Sequence, residues 1–217
     1  YGFNAPVVLS IGELPGGVGA AFSTNPLTPT ANTGLVVTAL PTATVGVYPL
    51  IVTGDAGTIT HSTTLTLVID AYQVTVCGSI AADTTWNGQH LYVVTCVVNV
   101  NSGVTLTVER GAIVKFGNSS PQLQVDGQLL VVGSSTQPVY FTALTDDAVG
   151  GDTNNDGAAT SPTPGYWQSI MVRSGGSASL DYAVVRYGGY CYSCTGGGVV
   201  NTDGILNIIS STVIYNA

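Results

Sequence analysis

The sequence predicts an all-β protein with two domains, a β-sandwich over residues 1–70 and a β-solenoid over residues 71–217. The 217-residue chain contains 28 glycines, and only 7% of its residues are charged. Val, Thr, Ser and Asn take the place of Lys and Glu, a composition typical of β-sheets. No long segment shows the 3.6-residue apolar period of a helix. The spacing of turn residues changes after Asp70, which sets the domain boundary.

The first domain shows five short strand patterns separated by Pro and Gly turns. The predicted strands are residues 6–14, 19–23, 34–40, 45–54 and 57–69. Turn signals about every ten residues are typical of a β-sandwich.

The second domain shows a glycine-led repeat. Segments of alternating apolar residues follow Gly103, Gly127, Gly176 and Gly204, at intervals of roughly 24 to 50 residues. Such segments cannot bury their inward faces alone, so we expect them to stack as a solenoid. The widest interval contains an acidic insertion at residues 145–165.

This acidic loop is the strongest candidate for a metal site. Residues 145–157 contain four of the twelve acidic residues and no Lys or Arg, so the carboxylates would repel one another without a cation. The predicted ligands are Asp146, Asp147, Asp152, Asn154 and Asp156. Residues 152–157 have the spacing of the first half of a calcium loop, although Thr163 occupies the position of its bidentate Glu. Hard oxygen ligands favour a structural Ca²⁺, while the alternative is a simple Asp/Asn/Gly turn.

Four cysteines indicate an exported protein stabilised by disulfides. Three pairings are possible, and the spacing favours Cys77 with Cys96 and Cys191 with Cys194. Neither pair has the context of a zinc or a thioredoxin-like site. The sequon at residues 118–120 makes Asn118 a candidate glycosylation site.

Charge and hydropathy exclude two classes of partner. A formal net charge of −8 disfavours binding to the phosphate backbone of nucleic acids. The longest apolar run, residues 91–100, is too short to span a membrane. The chain starts at Tyr1 without an initiator Met or a signal peptide, and we interpret it as a processed or partial chain.

No set of residues predicts catalysis. His61 and His90 lie far apart in sequence, and no nucleophile motif accompanies them. Arg173 and Arg186 could approach the acidic loop as the base of a calcium-dependent polysaccharide lyase, but we expect lone cations to pair with carboxylates such as Asp181. We therefore predict no catalytic residue.

Aromatic residues leave a carbohydrate-binding alternative open. Tyrosines are concentrated near the second Cys pair, at Tyr182, Tyr187, Tyr190 and Tyr192. For Trp86 and Trp167, packing in the core is the favoured interpretation.

The first domain resembles the Ig-like repeats of large bacterial and archaeal surface proteins. The matching motifs, in the order those repeats show, are residues 2–7, 12–18, 46–48 and 60–64. In such repeats one or two strands precede the position of Tyr1 to Pro6. The resemblance therefore implies an incomplete Ig-like β-sandwich with an exposed groove and an unpaired strand edge.

The second domain resembles the right-handed parallel β-helix domains of exported microbial proteins. The matching residues are 77–78, 83–86, 96, 103–109, 138–142, 146–147, 150–154, 165–167 and 185–189. The resemblance implies a rigid extracellular rod of the kind found in surface, adhesive or sheath-like proteins, sometimes beside carbohydrate-active modules. Only about one further turn follows the match, and no capping segment is recognisable.

These features together predict a non-enzymatic structural or adhesive component of an extracellular or cell-surface assembly. Expected partners are copies of the chain, joined head to tail into a filament by β-strand addition at unpaired edges, or adjoining domains of a longer surface protein. The alternative function is a carbohydrate-binding or polysaccharide-cleaving β-helix module.

Overall fold

The computed structural model describes residues 5–28, 30–40, 43–70, 72–118, 121–190 and 196–217. These residues form nineteen β-strands and no helix, which confirms the all-β prediction. Two compact units are present, Tyr1–Asp70 and Ala71–Ala217. Within the described ranges, no helix has the length and hydropathy needed to cross a membrane.

Unit 1 is antiparallel, and its strands lie where the turn spacing predicts them. The strands are β1 (Val8–Ile11), β2 (Val18–Phe22), β3 (Leu35–Ala39), β4 (Gly46–Asp55) and β5 (Thr60–Ile69). One sheet has the order β1-β4-β5, and β2 pairs with β3 in a second sheet.

The core of unit 1 is small. Among its described residues, the buried hydrophobic side chains are Ala43, Leu50 and Ile69. Leu65 lies opposite Leu50 in the β4–β5 register and so shares its face of the sheet, yet 46% of Leu65 is exposed. The inner face of this sheet is therefore covered only in part.

The described residues of unit 2 form fourteen strands. They are β6 (Tyr72–Ile80), β7 (Thr84–Trp86), β8 (His90–Val100), β9 (Thr105–Glu109), β10 (Ile113–Phe116), β11 (Leu123–Val125), β12 (Gln128–Val132), β13 (Val139–Ala143), β14 (Ile170–Val172), β15 (Ser177–Asp181), β16 (Ala183–Arg186), β17 (Val199–Asn201), β18 (Ile205–Ile209) and β19 (Thr212–Ile214).

Parallel pairing arranges these strands in three columns. The first column stacks β8, β10, β13, β16 and β19, and the second stacks β8, β11, β14 and β17. The third stacks β7, β9, β12, β15 and β18, so the four glycine-led segments lie side by side. Strand β8 serves both the first and the second column, and β6 pairs along it. From β9 onward the chain visits the columns in turn, and each full circuit, here called a coil, adds one strand to each column.

Apolar side chains that point inward from the three columns form the core of unit 2. Leu106, Leu129 and Ala178 occupy one register position in successive coils, and all three are buried. Trp167 is fully buried and stacks on Phe116 with ring centroids 3.9 Å apart. Trp86, which is 4% exposed, also packs in this core, so both tryptophans have the packing role that we favoured.

A disulfide joins Cys77 to Cys96 and cross-links the neighbouring strands β6 and β8. Cys191 and Cys194 lie outside the described residues, so the second predicted pair stays a prediction. Asn118 is exposed, whereas the other two residues of its sequon are also outside the described ranges.

Candidate metal centre

The acidic loop connects β13 to β14 and lies against the outward side of the first column. Gly150 is its point of closest approach, because a Cβ atom at this position would lie 2.6 Å from Leu91 Cδ1 and 3.3 Å from Ile113 Cδ1. Leu91 and Ile113 are neighbours in the β8–β10 register, and Leu91 is 3% exposed although it points away from the core. The loop therefore covers the coils instead of projecting into solvent.

Lys115 of β10 anchors the loop to the first column. Its side chain is fully buried, and Nζ donates to the carbonyl oxygen of Gly151 at 2.8 Å and to Thr153 Oγ1 at 2.6 Å. Burial lowers the pKa of Lys115, while the negative charges of nearby carboxylates, Asp146 first among them, act in the opposite direction. A buried cation with two acceptors holds the middle of the loop in place.

Asp146 makes a separate ion pair. It is 1% exposed, its Oδ2 accepts from Arg186 Nε at 2.7 Å, and Arg186 Nη2 lies 2.5 Å from the same oxygen. Thr142 Oγ1 also donates to this carboxylate. The guanidinium of Arg186 lies 5.5 Å from the ring centroids of both Tyr140 and Tyr187. Arg186 thus approaches the acidic loop, where it neutralises Asp146.

The other three acidic residues of the loop converge. One carboxylate oxygen from each of Asp147, Asp152 and Asp156 lies within 4.8 Å of the other two. The turn that follows Asp152 explains part of this geometry, because Asp156 N donates to Asp152 Oδ1 at 3.1 Å and Gly157 N donates to Oδ2 at 2.8 Å. These two bonds fold the loop back on itself and bring Asp156 beside Asp152.

Hydrogen bonds from Asn154 and Thr160 fix the carboxylate of Asp156. Asn154 Nδ2 donates to Asp156 Oδ2 at 2.7 Å, and Thr160 Oγ1 donates to the same oxygen. The bond from Thr160 is the main cause of the lowered pKa of Asp156, which favours its ionised form. Because its amide nitrogen is engaged in this way, Asn154 keeps its Oδ1 free.

Three oxygens of this cluster are shielded from water and accept no hydrogen bond: Asp147 Oδ1, Asn154 Oδ1 and Asp156 Oδ1. An acceptor in this position costs free energy unless a donor or a cation reaches it. The charges around the loop are also unbalanced. The loop has four carboxylates, and the cations that contact it among the described residues are Lys115 and Arg186. The excess of two negative charges matches one divalent cation.

The donor set fits a hard cation. Asp147, Asp152, Asn154 and Asp156 offer only oxygen, which is the chemistry of a calcium site, and water would supply the further ligands that Ca²⁺ takes. Of the five residues that the sequence nominates, the structure brings together these four. Asp146 lies next to them in sequence but is held by Arg186.

Sequence analysis missed the residues that support the site, namely Lys115, Thr142, Thr153 and Thr160. Only Lys115 carried a signal, since it is the one lysine of the chain and stands in the apolar strand Ile113–Phe116. A lysine in a buried strand needs a partner, and that partner lies 36 residues away in Gly151.

The remaining candidate residues do not form a second site. Arg173 pairs with Asp126, through Nε to Oδ1 at 2.7 Å, and does not join the acidic loop. His61 belongs to β5, while His90 in β8 contacts Asn87 at 2.7 Å.

The structure describes three of the four tyrosines near the second Cys pair, Tyr182, Tyr187 and Tyr190. Tyr187 stacks on Tyr215 at 5.8 Å between ring centroids, and Tyr190 is 42% exposed. Tyr192 lies outside the described residues.

Comparison of the chain with protein-family models, with curated protein sequences and with solved structures gives no match. The chemistry of the acidic loop is therefore inferred from the contacts of its own residues. Those contacts combine an anchored loop, three converging carboxylates and oxygens without donors.

Proposed function

We propose that this chain is a non-enzymatic structural or adhesive component of an extracellular surface assembly, and that one Ca²⁺ stabilises it. The observation that carries the proposal is the cluster of Asp147, Asp152 and Asp156, whose neighbouring oxygens lack donors, on a loop fixed to stacked parallel strands. In this proposal the ion replaces the missing donors and holds the loop against the coils.

The proposal includes a specific architecture for each unit. We interpret unit 1 as an incomplete Ig-like sandwich, because its two antiparallel sheets leave Leu65 exposed on the inner face. We interpret unit 2 as a right-handed parallel β-helix, because its three columns of parallel strands surround one apolar core. Stacked coils of this kind suit a rigid rod better than a mobile catalytic domain.

The contacts of Lys115 and Arg186, the two cations near the loop, agree with a non-enzymatic role. A lyase would need a free Lys or Arg beside the metal, but Lys115 is buried with two acceptors and Arg186 is paired with Asp146. Neither side chain is free to remove a proton from a substrate. These contacts favour the structural role over the polysaccharide-cleaving alternative.

Location and partners follow from other features. The Cys77–Cys96 disulfide persists in oxidising compartments, which supports an extracellular or cell-surface location. The chain has few charged residues that could prevent pairing at strand edges. We therefore propose that copies of the chain are its partners through β-strand addition. Adjoining domains of a longer polypeptide are the other source of pairing strands.

Chelation tests the metal. Removing Ca²⁺ with EGTA should lower the midpoint of thermal unfolding by about 5 to 10 °C, since an ion at 100 times its Kd stabilises the folded state by about 2.7 kcal/mol. The double variant Asp152→Asn/Asp156→Asn should lose this response. The control Asp70→Asn/Asp203→Asn removes the same charge from two exposed positions and should retain it.

Terbium supplies an independent readout. Tyr166 directly follows the acidic loop in sequence, so we expect it to sensitise Tb³⁺ bound at the cluster. Luminescence that Ca²⁺ displaces should appear in the wild type and in the control but not in the Asp152/Asp156 variant. Melting curves that ignore EGTA, together with no Tb³⁺ signal, would refute the calcium proposal.

A further inference from the structure

We infer that the outer edge of β5 is a self-association surface, where two copies of the chain pair their β5 strands antiparallel around a two-fold axis at Leu65. The inference rests on the proposed function in treating the chain as a subunit that assembles. It adds the surface, the partner and the symmetry of the contact, and it differs from head-to-tail pairing in using the same strand twice.

The β5 strand has an open and regular edge. Among the described residues, β5 pairs with β4 alone, and the register runs over ten residue pairs without a bulge. Thr60–Ile69 contains no Pro, no Gly and no Asp, Glu, Lys or Arg. Exposed edges usually carry charges, prolines or bulges that prevent pairing with another chain, and β5 carries none of them.

The opposite edge of the same sheet is protected. Asn25 lies beside β1 and copies the hydrogen bonding of a strand, since Leu9 N donates to Asn25 Oδ1 and Asn25 Nδ2 donates to Leu9 O, both at 2.8 Å. Val7 and Leu27 extend this protection as an antiparallel bridge. The sheet thus has one closed edge at β1 and one open edge at β5.

Leu65 gives the open edge an apolar component. It shares the inner face with Leu50, which is 3% exposed, whereas Leu65 is 46% exposed. A strand added beside β5 would place its own inward side chain over Leu65, because directly opposite residues of an antiparallel pair share a face. Burial of this surface would favour the added strand.

The β5 strand of a second copy meets these requirements. With the two-fold axis at Leu65, the two copies of Leu65 face each other, and Thr64 of each copy faces Thr66 of the other. Leu–Leu and Thr–Thr cross-strand pairs are favourable, and the absence of charged residues in β5 means that no like charges meet. A contact that uses the same surface on both copies closes on itself, so the product is a dimer.

The experiment compares two exposed aliphatic positions of unit 1. Leu65→Lys places two ammonium groups opposite each other on the two-fold axis and should weaken the dimer roughly 100-fold in sedimentation equilibrium. Val36→Lys makes the same change in β3, at a residue that is 57% exposed, and should leave the dissociation constant within about twofold of the wild type. Circular dichroism should show that both variants are folded.

A mixing experiment keeps the test specific. Leu65→Lys and Leu65→Glu should each be monomeric and should form a heterodimer when mixed, because opposite charges then face each other. A wild type that stays monomeric at millimolar concentration, a Leu65→Lys variant that dimerises like the wild type, or a mixture that fails to pair would each overturn the inference. If the wild type still assembles by another surface, the proposed function survives while β5 pairing does not.

Discussion

Lys115 shows how one residue can decide the position of a whole loop. It stands in a strand whose neighbours are apolar, and its ammonium reaches outward to Gly151 and Thr153. The loop contributes acceptors that would otherwise face the buried outer surface of the first column. The loop therefore supplies the acceptors that the buried ammonium of Lys115 needs, and Lys115 supplies donors to the loop.

Replacing Lys115 with Met should release the loop. The change removes the hydrogen bonds from Nζ to Gly151 O and Thr153 Oγ1 and removes a cation from the acidic cluster, so the free energy of unfolding should fall by about 2 to 3 kcal/mol. Hydrogen exchange at residues 145–165 should accelerate, as measured by mass spectrometry. Arg110→Met removes an exposed cation and serves as the control. Unchanged exchange in the Lys115 variant would show that the loop is held by other contacts.

At the scale of elements, the stacking of parallel strands brings residues that are far apart in sequence into contact. The circuit from β13 to β15 is long because it carries the acidic loop between β13 of the first column and β14 of the second, yet β12 and β15 pair in continuous register over five residues. The insertion can therefore lie on the outside without disturbing the core. A similar logic applies to the disulfide, which links β6 to β8 where the register shifts between Val76 and Gly78.

Removing that disulfide should destabilise the start of unit 2. Its cysteines are separated by 19 residues, and a cross-link of this span restrains the unfolded chain by about 3 kcal/mol. Cys77→Ala/Cys96→Ala should lower the free energy of urea unfolding by about that amount. Reduction of the wild type is a poorer test, because it would also act on the predicted Cys191–Cys194 pair. A variant as stable as the wild type would mean that strand pairing alone holds β6 in place.

At the scale of the whole molecule, the candidate metal centre belongs to unit 2. Every contact described for the acidic loop, from Lys115 to Arg186, joins residues of Ala71–Ala217. The candidate self-association edge belongs to unit 1. Stabilisation by an ion and association between copies are thus assigned to different units.

Separating the units should separate these two properties. Residues 71–217 produced alone should show the same EGTA-dependent fall in melting temperature as the complete chain, because all the ligands and anchors are present. The same protein should not form the β5-mediated dimer. Calorimetry and sedimentation measure the two responses, and loss of the EGTA response in this segment would show that unit 1 is needed to form the metal centre.

The sequence by itself determined the features that depend on local order. Composition and period gave the all-β class, which the structure confirms, and turn residues located β1 to β5 and the glycine-led strands of the third column. Spacing nominated Asp152, Asn154 and Asp156, and the turn after Asp152 brings Asp156 beside Asp152. These features can be predicted from the sequence because they depend on residues that lie close together in the chain.

Only the tertiary structure decided which groups oppose one another across the coils. Asp146 pairs with Arg186 across 40 residues, so it lies outside the cluster of converging carboxylates that its sequence neighbours form. Lys115 reaches Gly151 across 36 residues, and the open edge of β5 is recognisable only once Asn25 is seen to close β1. These contacts depend on strand register, and a one-residue shift would turn Lys115 or Leu65 to the opposite face of its sheet.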